Sequence, residues 1–173
     1  MKRKFFLIFY YGIAYYLPDS YTPIVGKISN KIRVYCVKNI FKSCGRIRTI
    51  NRRVFFGGGG GIEMGDGSGI GARTSIPNDT IIGKNVTISR DVFMLNRNFV
   101  YDRTDIPMNN QGKHPSKQII IEDDCWIGLR AIITPGRIIK KGSIIAMGTV
   151  LVKDFPEYSV VGGNPSKLIK SRK

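Results

Sequence analysis

The sequence predicts a mainly β fold, a parallel β-helix, on three observations. An aliphatic residue recurs at every sixth position in two series: Met64, Ile70, Ile76, Ile82, Ile88, Met94, then Ile121, Ile127, Ile133, Ile139, Ile145, Leu151. Four positions after the aliphatic stands a small or β-branched residue in most hexads, as at Ser68, Thr74, Val86, Cys125 and Thr149. Glycine accounts for 20 of 173 residues, above the usual share of about 7%, and often follows the aliphatic directly, as at Gly65, Gly71, Gly83 and Gly128. A period of six fits neither the 3.6 of a helix nor the 2.0 of a strand. It fits short strands joined by tight turns, with the aliphatic and the small residue both pointing inward. Three hexads then close one coil, coils stack at the strand spacing of about 4.8 Å, and glycine serves turns that leave ordinary φ/ψ space. Eleven hexads make a little under four coils.

Residues 1–45 read as an N-terminal helical segment. MKRKFFLIFYYGIAYYLPDS has a basic tip and a mostly apolar run from Phe5 to Leu17. No small-x-small cleavage site follows, and about 13 residues are too few to span a bilayer. Two readings stand. One is an aromatic-rich helix packed on its own domain. The other is an interfacial anchor, with Lys2, Arg3 and Lys4 at lipid headgroups and Tyr10, Tyr11, Tyr15 and Tyr16 at the interface.

Residues 18–28 carry the Pro, Asp, Ser and Gly of a linker. Ser29 is placed to cap a second helix that ends at Gly45, with Ile32, Tyr35, Cys36, Ile40 and Phe41 on its apolar side and Lys31, Arg33, Lys38 and Lys42 on a solvated one. The β-helix follows over 46–163. The run Gly57 to Gly61 reads as a flexible entry to the first coil, since no Gly-Lys-Ser/Thr follows to make it a phosphate loop. Met94 and Ile121 are 27 positions apart, not a multiple of six. A segment, 95–120, is therefore looped out, and a protruding loop on a rigid scaffold is where function is expected. Residues 164–173 read as a short C-terminal helix or tail.

The net charge of +16 points to an anionic partner without choosing one. No base-stacking or recognition motif accompanies it, so nucleic acid is not expected. Three cysteines, an odd number without CxxC spacing, read as reduced thiols of a cytoplasmic protein. Cys125 falls at an inward small position, where a packed thiol is the natural reading. A single histidine, His114, excludes a three-histidine metal centre.

The hexads, the looped-out segment and the ending IEDDCWIGLRAIITPG…AMGTVLVKDFPEYSVVGGNPSKLIK resemble the hexapeptide-repeat acyltransferases, in the branch that holds maltose, galactoside, nodulation-factor and capsule or colanic-acid O-acetyltransferases. The resemblance covers about residues 60–172. It implies a left-handed parallel β-helix, a homotrimer with clefts between subunits, acetyl-CoA as co-substrate and no metal. It also implies direct transfer, in which a loop histidine takes the acceptor hydroxyl proton while that oxygen attacks the thioester. Trp126 matches the family tryptophan near the cleft. Met147 and Gly148 match backbone along the pantetheine arm, Val152 and Lys153 a Thr-Lys pair near the far end of CoA, and Lys167 and Lys170 basic residues near its phosphates. Asn96 and Asp102 stand where the acceptor is expected.

One departure bears on chemistry. The family's catalytic histidine falls at position 99, shortly before DRTDIPM, and here it is Phe99, which cannot accept a proton. Three explanations remain open: His114 in the same loop serves as base, aided by Asp102 or Asp105; positioning and CoA binding alone sustain a weak activity; or the trimer is non-catalytic and binds a ligand or partner. Arg137 stands at an inward position, Lys140 at a turn glycine and Leu129 at a small site near CoA. The leading expectation is an acetyl-CoA-dependent O-acetyltransferase acting on a sugar hydroxyl of a cell-surface polysaccharide or its precursor. The alternative is a catalytically degenerate hexapeptide-repeat trimer acting as a binding or scaffold protein. A cytoplasmic location is expected, with membrane-surface association through residues 1–17 as a further option.

Overall fold

A computed structural model describes residues 2–173. The chain opens with helix α1 (Lys2–Gly12), one 3₁₀ turn (Ala14–Tyr16) and helix α2 (Val25–Lys38). The rest is a stack of parallel strands, nearly all two residues long, joined by corners. The hexad aliphatics hold register. On a first face Met64 pairs with Ile82, Ile82 with Ile121 and Ile121 with Ile139. A second face aligns Ile50, Ile70, Ile88, Ile127 and Ile145. A third aligns Met94, Ile133 and Leu151, continued by bridges through Ser75 to Phe55. Three hexads close each coil, as the spacing predicts.

Inside the prism each aliphatic is buried, as is the residue four positions on in most hexads. Small polar residues fit there because the neighbouring coil satisfies them. The Ser68 hydroxyl donates to the Gly83 carbonyl at 2.7 Å and accepts from the Val86 amide at 2.9 Å. Arg137, at one of these positions, bends to the edge. There its guanidinium donates to the Val152 carbonyl at 3.0 Å and lies 3.4 Å from Asp154.

Glycine has two separate roles. Positive φ falls on the third residue after the aliphatic, held by Gly67, Gly136, Gly142 and Gly148 but also by Arg73, Asn85, Asp91, Asp124 and Arg130. The glycine directly after the aliphatic, expected at the turn conformation, is required for space instead: a Cβ on Gly65 would lie 2.7 Å from the Gly83 carbonyl of the next coil. Gly65→Ala is expected to destabilise the fold by about 1–3 kcal/mol through this backbone collision. Gly148→Ala, at φ +69 with no neighbour within 4 Å, should cost only about 1 kcal/mol. Urea denaturation of the two variants measures the order, and a larger loss for Gly148→Ala would refute the distinction.

The structure departs from the sequence reading in five places. The coils begin at Ser43, because Lys42, Ser43 and Gly45 donate to Ile62 and Met64 of the next rung, and this pairing ends the second helix early. That first rung takes 20 residues where the next takes 18. Its Gly57–Gly61 corner is pinned rather than flexible: Tyr11 donates to the Gly57 carbonyl at 3.0 Å and Arg3 to Gly58 at 2.8 Å. Helix α2 begins at Val25, so Ser29 lies inside it, donating to the Val25 carbonyl at 2.9 Å. Arg33 is fully buried, not solvated. Finally, Lys167–Ser171 is a strand, not a helix. It pairs antiparallel with Ser159–Gly162. All five of its residues are exposed, so covering a bare sheet edge, rather than core burial, explains it.

The helices close the N-terminal end of the column. Tyr10, Ala14, Cys36, Val37 and Ile40 are buried in the same core as Ile50, Val54 and Phe56. The Tyr10 ring lies tilted against Phe56 at 4.7 Å, and its hydroxyl donates to the Val54 carbonyl at 2.8 Å. Burial raises its phenol well above the usual range. Among the described residues no helix is long and apolar enough to cross a membrane.

Candidate functional site

The looped-out segment leaves the corner between the third and first faces as an antiparallel arm. The Asn96 carbonyl accepts from the Lys117 amide at 2.6 Å, Asn98 from His114 at 2.9 Å and Gly112 from Val100 at 3.1 Å. Asp79 of the preceding coil clamps its base. The Asp79 carboxylate accepts from the Asn96 amide at 3.1 Å and Ser116 at 3.2 Å, and its backbone carbonyl accepts from Gln118 at 2.6 Å.

This pairing puts His114 across from Asn98, one residue from Phe99. His114 is half-buried, its ring edge-on to Tyr101 at 6.4 Å. Asn98, Tyr101, His114 and Lys117 line, with Thr134 and Pro135 of the next coil, a half-open cavity of about 320 Å³ that Arg97 also lines. Its charged walls are cationic. Phe99 points away, 53% exposed, with the Lys113 ammonium 5.0 Å above its ring. Of the candidate helpers, Asp105 is ion-paired with Arg103 and Asp102 is exposed. Neither forms a hydrogen bond with the His114 imidazole among the described residues, so no carboxylate fixes its tautomer. Asn96 serves the clamp, and Asp102 lies outside the cavity lining.

The other expected residues lie elsewhere on the prism. Trp126 projects from the second face, 49% exposed, and donates to the Ser89 hydroxyl at 3.2 Å. Met147 and Gly148 form the exposed corner between the second and third faces. Val152 and Lys153 follow the third face, the ammonium 5.5 Å from the Phe155 ring. Lys167 and Lys170 are exposed on the terminal strand, opposite Gly162 and Val160. Within one chain, then, the His114 cavity and the Trp126 face are not brought together. Cys125 is buried beside the Lys140 carbonyl at 3.2 Å. Burial pushes its thiol up to about 11, so it stays protonated near neutrality and is no nucleophile.

A second cavity, about 550 Å³, lies on the second face below Trp126 and was not legible in the sequence. Asp19, Tyr21, Arg48, Asn51, Ser89 and Arg90 line it. Its floor is open because the outward residues there are small, Thr49, Gly69 and Thr87. Arg48 donates to the Thr87 hydroxyl at 3.0 Å.

Comparison with known proteins places this scaffold. Residues 118–153 match the model described as hexapeptide repeat of succinyl-transferase. That stretch carries the hexapeptide repeat. A chloramphenicol acetyltransferase of Agrobacterium fabrum is 41% identical over 61 residues, 35% of this chain and 29% of that protein. The crystal structure of a hexapeptide-repeat acetyltransferase from Vibrio cholerae, complexed with acetyl coenzyme A, superposes with a TM-score of 0.74 at 25% identity, covering 82% of this chain and 76% of that one. A galactoside acetyltransferase in complex with coenzyme A gives 0.80 at 23% identity over 99% and 81% of the two chains, a likeness of fold. The fold is the left-handed β-helix of such proteins. The stretches matched in the curated relatives span from 25% to 60% of those proteins.

Proposed function

We propose that the protein is an acetyl-CoA-dependent O-acetyltransferase acting on a sugar hydroxyl of a cell-surface polysaccharide or its precursor, with His114 as general base. The observation that carries this is the half-open cleft at the base of the arm, which the chain's one imidazole lines beside Lys117 and Arg97. His114 takes the proton from the acceptor hydroxyl as its oxygen bonds to the thioester carbon. The carbon–sulfur bond then breaks, and the proton passes from the imidazolium to the departing CoA sulfur. Lys117 and Arg97 supply positive charge for the oxyanion that forms between these steps.

The basic second-face cavity supports the acceptor class. Arg48 and Arg90 suit an acidic sugar, while Asp19, Asn51 and Tyr21 suit its hydroxyls. Because the imidazole and Trp126 occupy different faces of one prism, the reading requires neighbouring copies to complete each cleft, as in the homotrimer the resemblance implies. Lys167 and Lys170 would meet CoA phosphates, and the cytoplasm, where acetyl-CoA is made, is the fitting location.

Phe99 favours a second reading, a degenerate scaffold that binds without turnover. Thiol release from acetyl-CoA across a panel of neutral and acidic sugars separates the two. Turnover is expected, with Lys167→Ala/Lys170→Ala raising KM for acetyl-CoA by up to about thirtyfold, since each exposed ion pair is worth about 1 kcal/mol at most. CoA binding by calorimetry without thiol release on any acceptor would establish the scaffold instead.

A further inference from the structure

The N-terminal layer has an outer side that nothing in the chain covers. Of the four tyrosines that the anchor reading of the sequence put at a membrane interface, Tyr10, Tyr11 and Tyr15 turn inward around Phe56 while Tyr16 is exposed, and Arg3 is spent on Gly58. Different residues face out. On α1, Phe5 and Ile8 are 63% and 75% exposed; on α2, Ile28 is 59% exposed and Tyr35 is likewise open. The two helices join these into one surface. The Phe6 and Tyr35 rings meet edge-on at 5.4 Å, and Phe5, Phe9, Ile32 and Tyr35 line one shallow groove beside Lys31. A continuous apolar patch of this kind marks an interaction site.

Charge selects the partner. At about 100° per residue, Lys27, Lys31 and Lys38 of α2 form a band directly beside the stripe of Ile28 and Tyr35. Lys2 and Lys4 are exposed on α1. Residues 1–62 contain 12 Lys+Arg and a single acidic residue, Asp19, which is turned to Asn51 at the second-face cavity. A second copy docked on this face would set lysine against lysine. An anionic lipid surface satisfies both the apolar stripe and its basic margin.

We propose that the outer faces of α1 and α2 together form a docking surface for an anionic phospholipid bilayer, with Phe5, Ile8 and Ile28 entering the interface and the lysines meeting the headgroups. The helices lie in the plane of the surface and do not cross it.

Flotation of the full chain with vesicles tests this. Binding is expected to vesicles of phosphatidylcholine containing one-third phosphatidylglycerol (about 30%), weakening with salt, and not to phosphatidylcholine alone. Lys27→Ala and Lys31→Ala should each weaken it about fivefold. Ile8→Asp/Ile28→Asp, both on exposed positions and checked for folding by circular dichroism, should abolish it while leaving acetyl transfer in solution unchanged. Equal binding to both vesicles, no binding, or binding by the double aspartate variant as by wild type overturns the proposal. So does a fall in sedimenting mass in that variant without vesicle binding by the wild type, which would assign the face to a second copy.

Discussion

Replacing His114 by alanine is expected to lower kcat for acetyl transfer by about 10²–10⁴, the range a positioned general base supplies, while KM for acetyl-CoA stays near wild type. The separation follows from placement. His114 lies at the corner between the third and first faces, whereas Lys167 and Lys170, the residues expected at CoA phosphates, are on the terminal strand beyond the second face. The backbone bond from His114 to Asn98 at 2.9 Å does not depend on the side chain, so the arm should keep its shape. In the His114→Ala background, Phe99→His should restore little of the lost rate, because neighbours along a strand point to opposite sides and Phe99 turns away from the cavity that Asn98 and His114 line. Steady-state thiol release on the wild type, the two single variants and the double variant decides. If His114→Ala keeps wild-type kcat, the imidazole is not the base; if Phe99→His alone gains more than tenfold, the wild type lacks an effective one.

The coils were legible because burial dictates them. Every rung must fill the same narrow column, so Ile82, Ile121 and Ile139 announce themselves at a fixed period even across the arm. The first rung was hidden. Its 20-residue length breaks the period, and its Gly57–Gly61 corner offers no aliphatic at the expected place. The terminal strand was hidden for a different reason: it buries no side chain, so its sequence has no hydrophobic pattern to read. The site divides the same way. His114 and Phe99 were found by position within the arm, but Asp19, Tyr21, Arg48 and Arg90 converge only because residues 19 and 90 come from different layers of the stack. No spacing in the sequence encodes that meeting. Arg33 was misread outright, since on a helix otherwise lined with Lys31 and Lys38 a guanidinium looks like one more solvated charge.

Arg33→Met is expected to destabilise the protein by about 3–5 kcal/mol, the scale of breaking a buried charged cluster. Arg33 has 0% exposure, and its guanidinium ties α2 to the chain on both sides. Its Nε donates to the Ile50 carbonyl at 2.7 Å, and its terminal nitrogens donate to Leu17 at 3.2 Å, Pro18 at 3.1 Å and the Ser20 hydroxyl at 3.0 Å. Burial lowers its pKa, opposed by Tyr10 and Asp19, but an arginine starts so high that it stays charged. Methionine fills similar volume and donates nothing. It leaves those carbonyls without their partner, at about 1–3 kcal/mol for each that water cannot reach. Lysine could serve one or two of them but not the fork. The loss should also reach the second-face cavity, because Asp19 and Tyr21 follow directly on Leu17, Pro18 and Ser20, the segment Arg33 holds. Urea denaturation followed by Trp126 fluorescence and far-ultraviolet circular dichroism measures the stability. Acceptor KM, expected to rise while acetyl-CoA KM does not, measures the coupling. An Arg33→Met variant as stable as wild type would mean that water or another donor satisfies those carbonyls. A normal acceptor KM in a destabilised variant would separate the helical layer from the acceptor site.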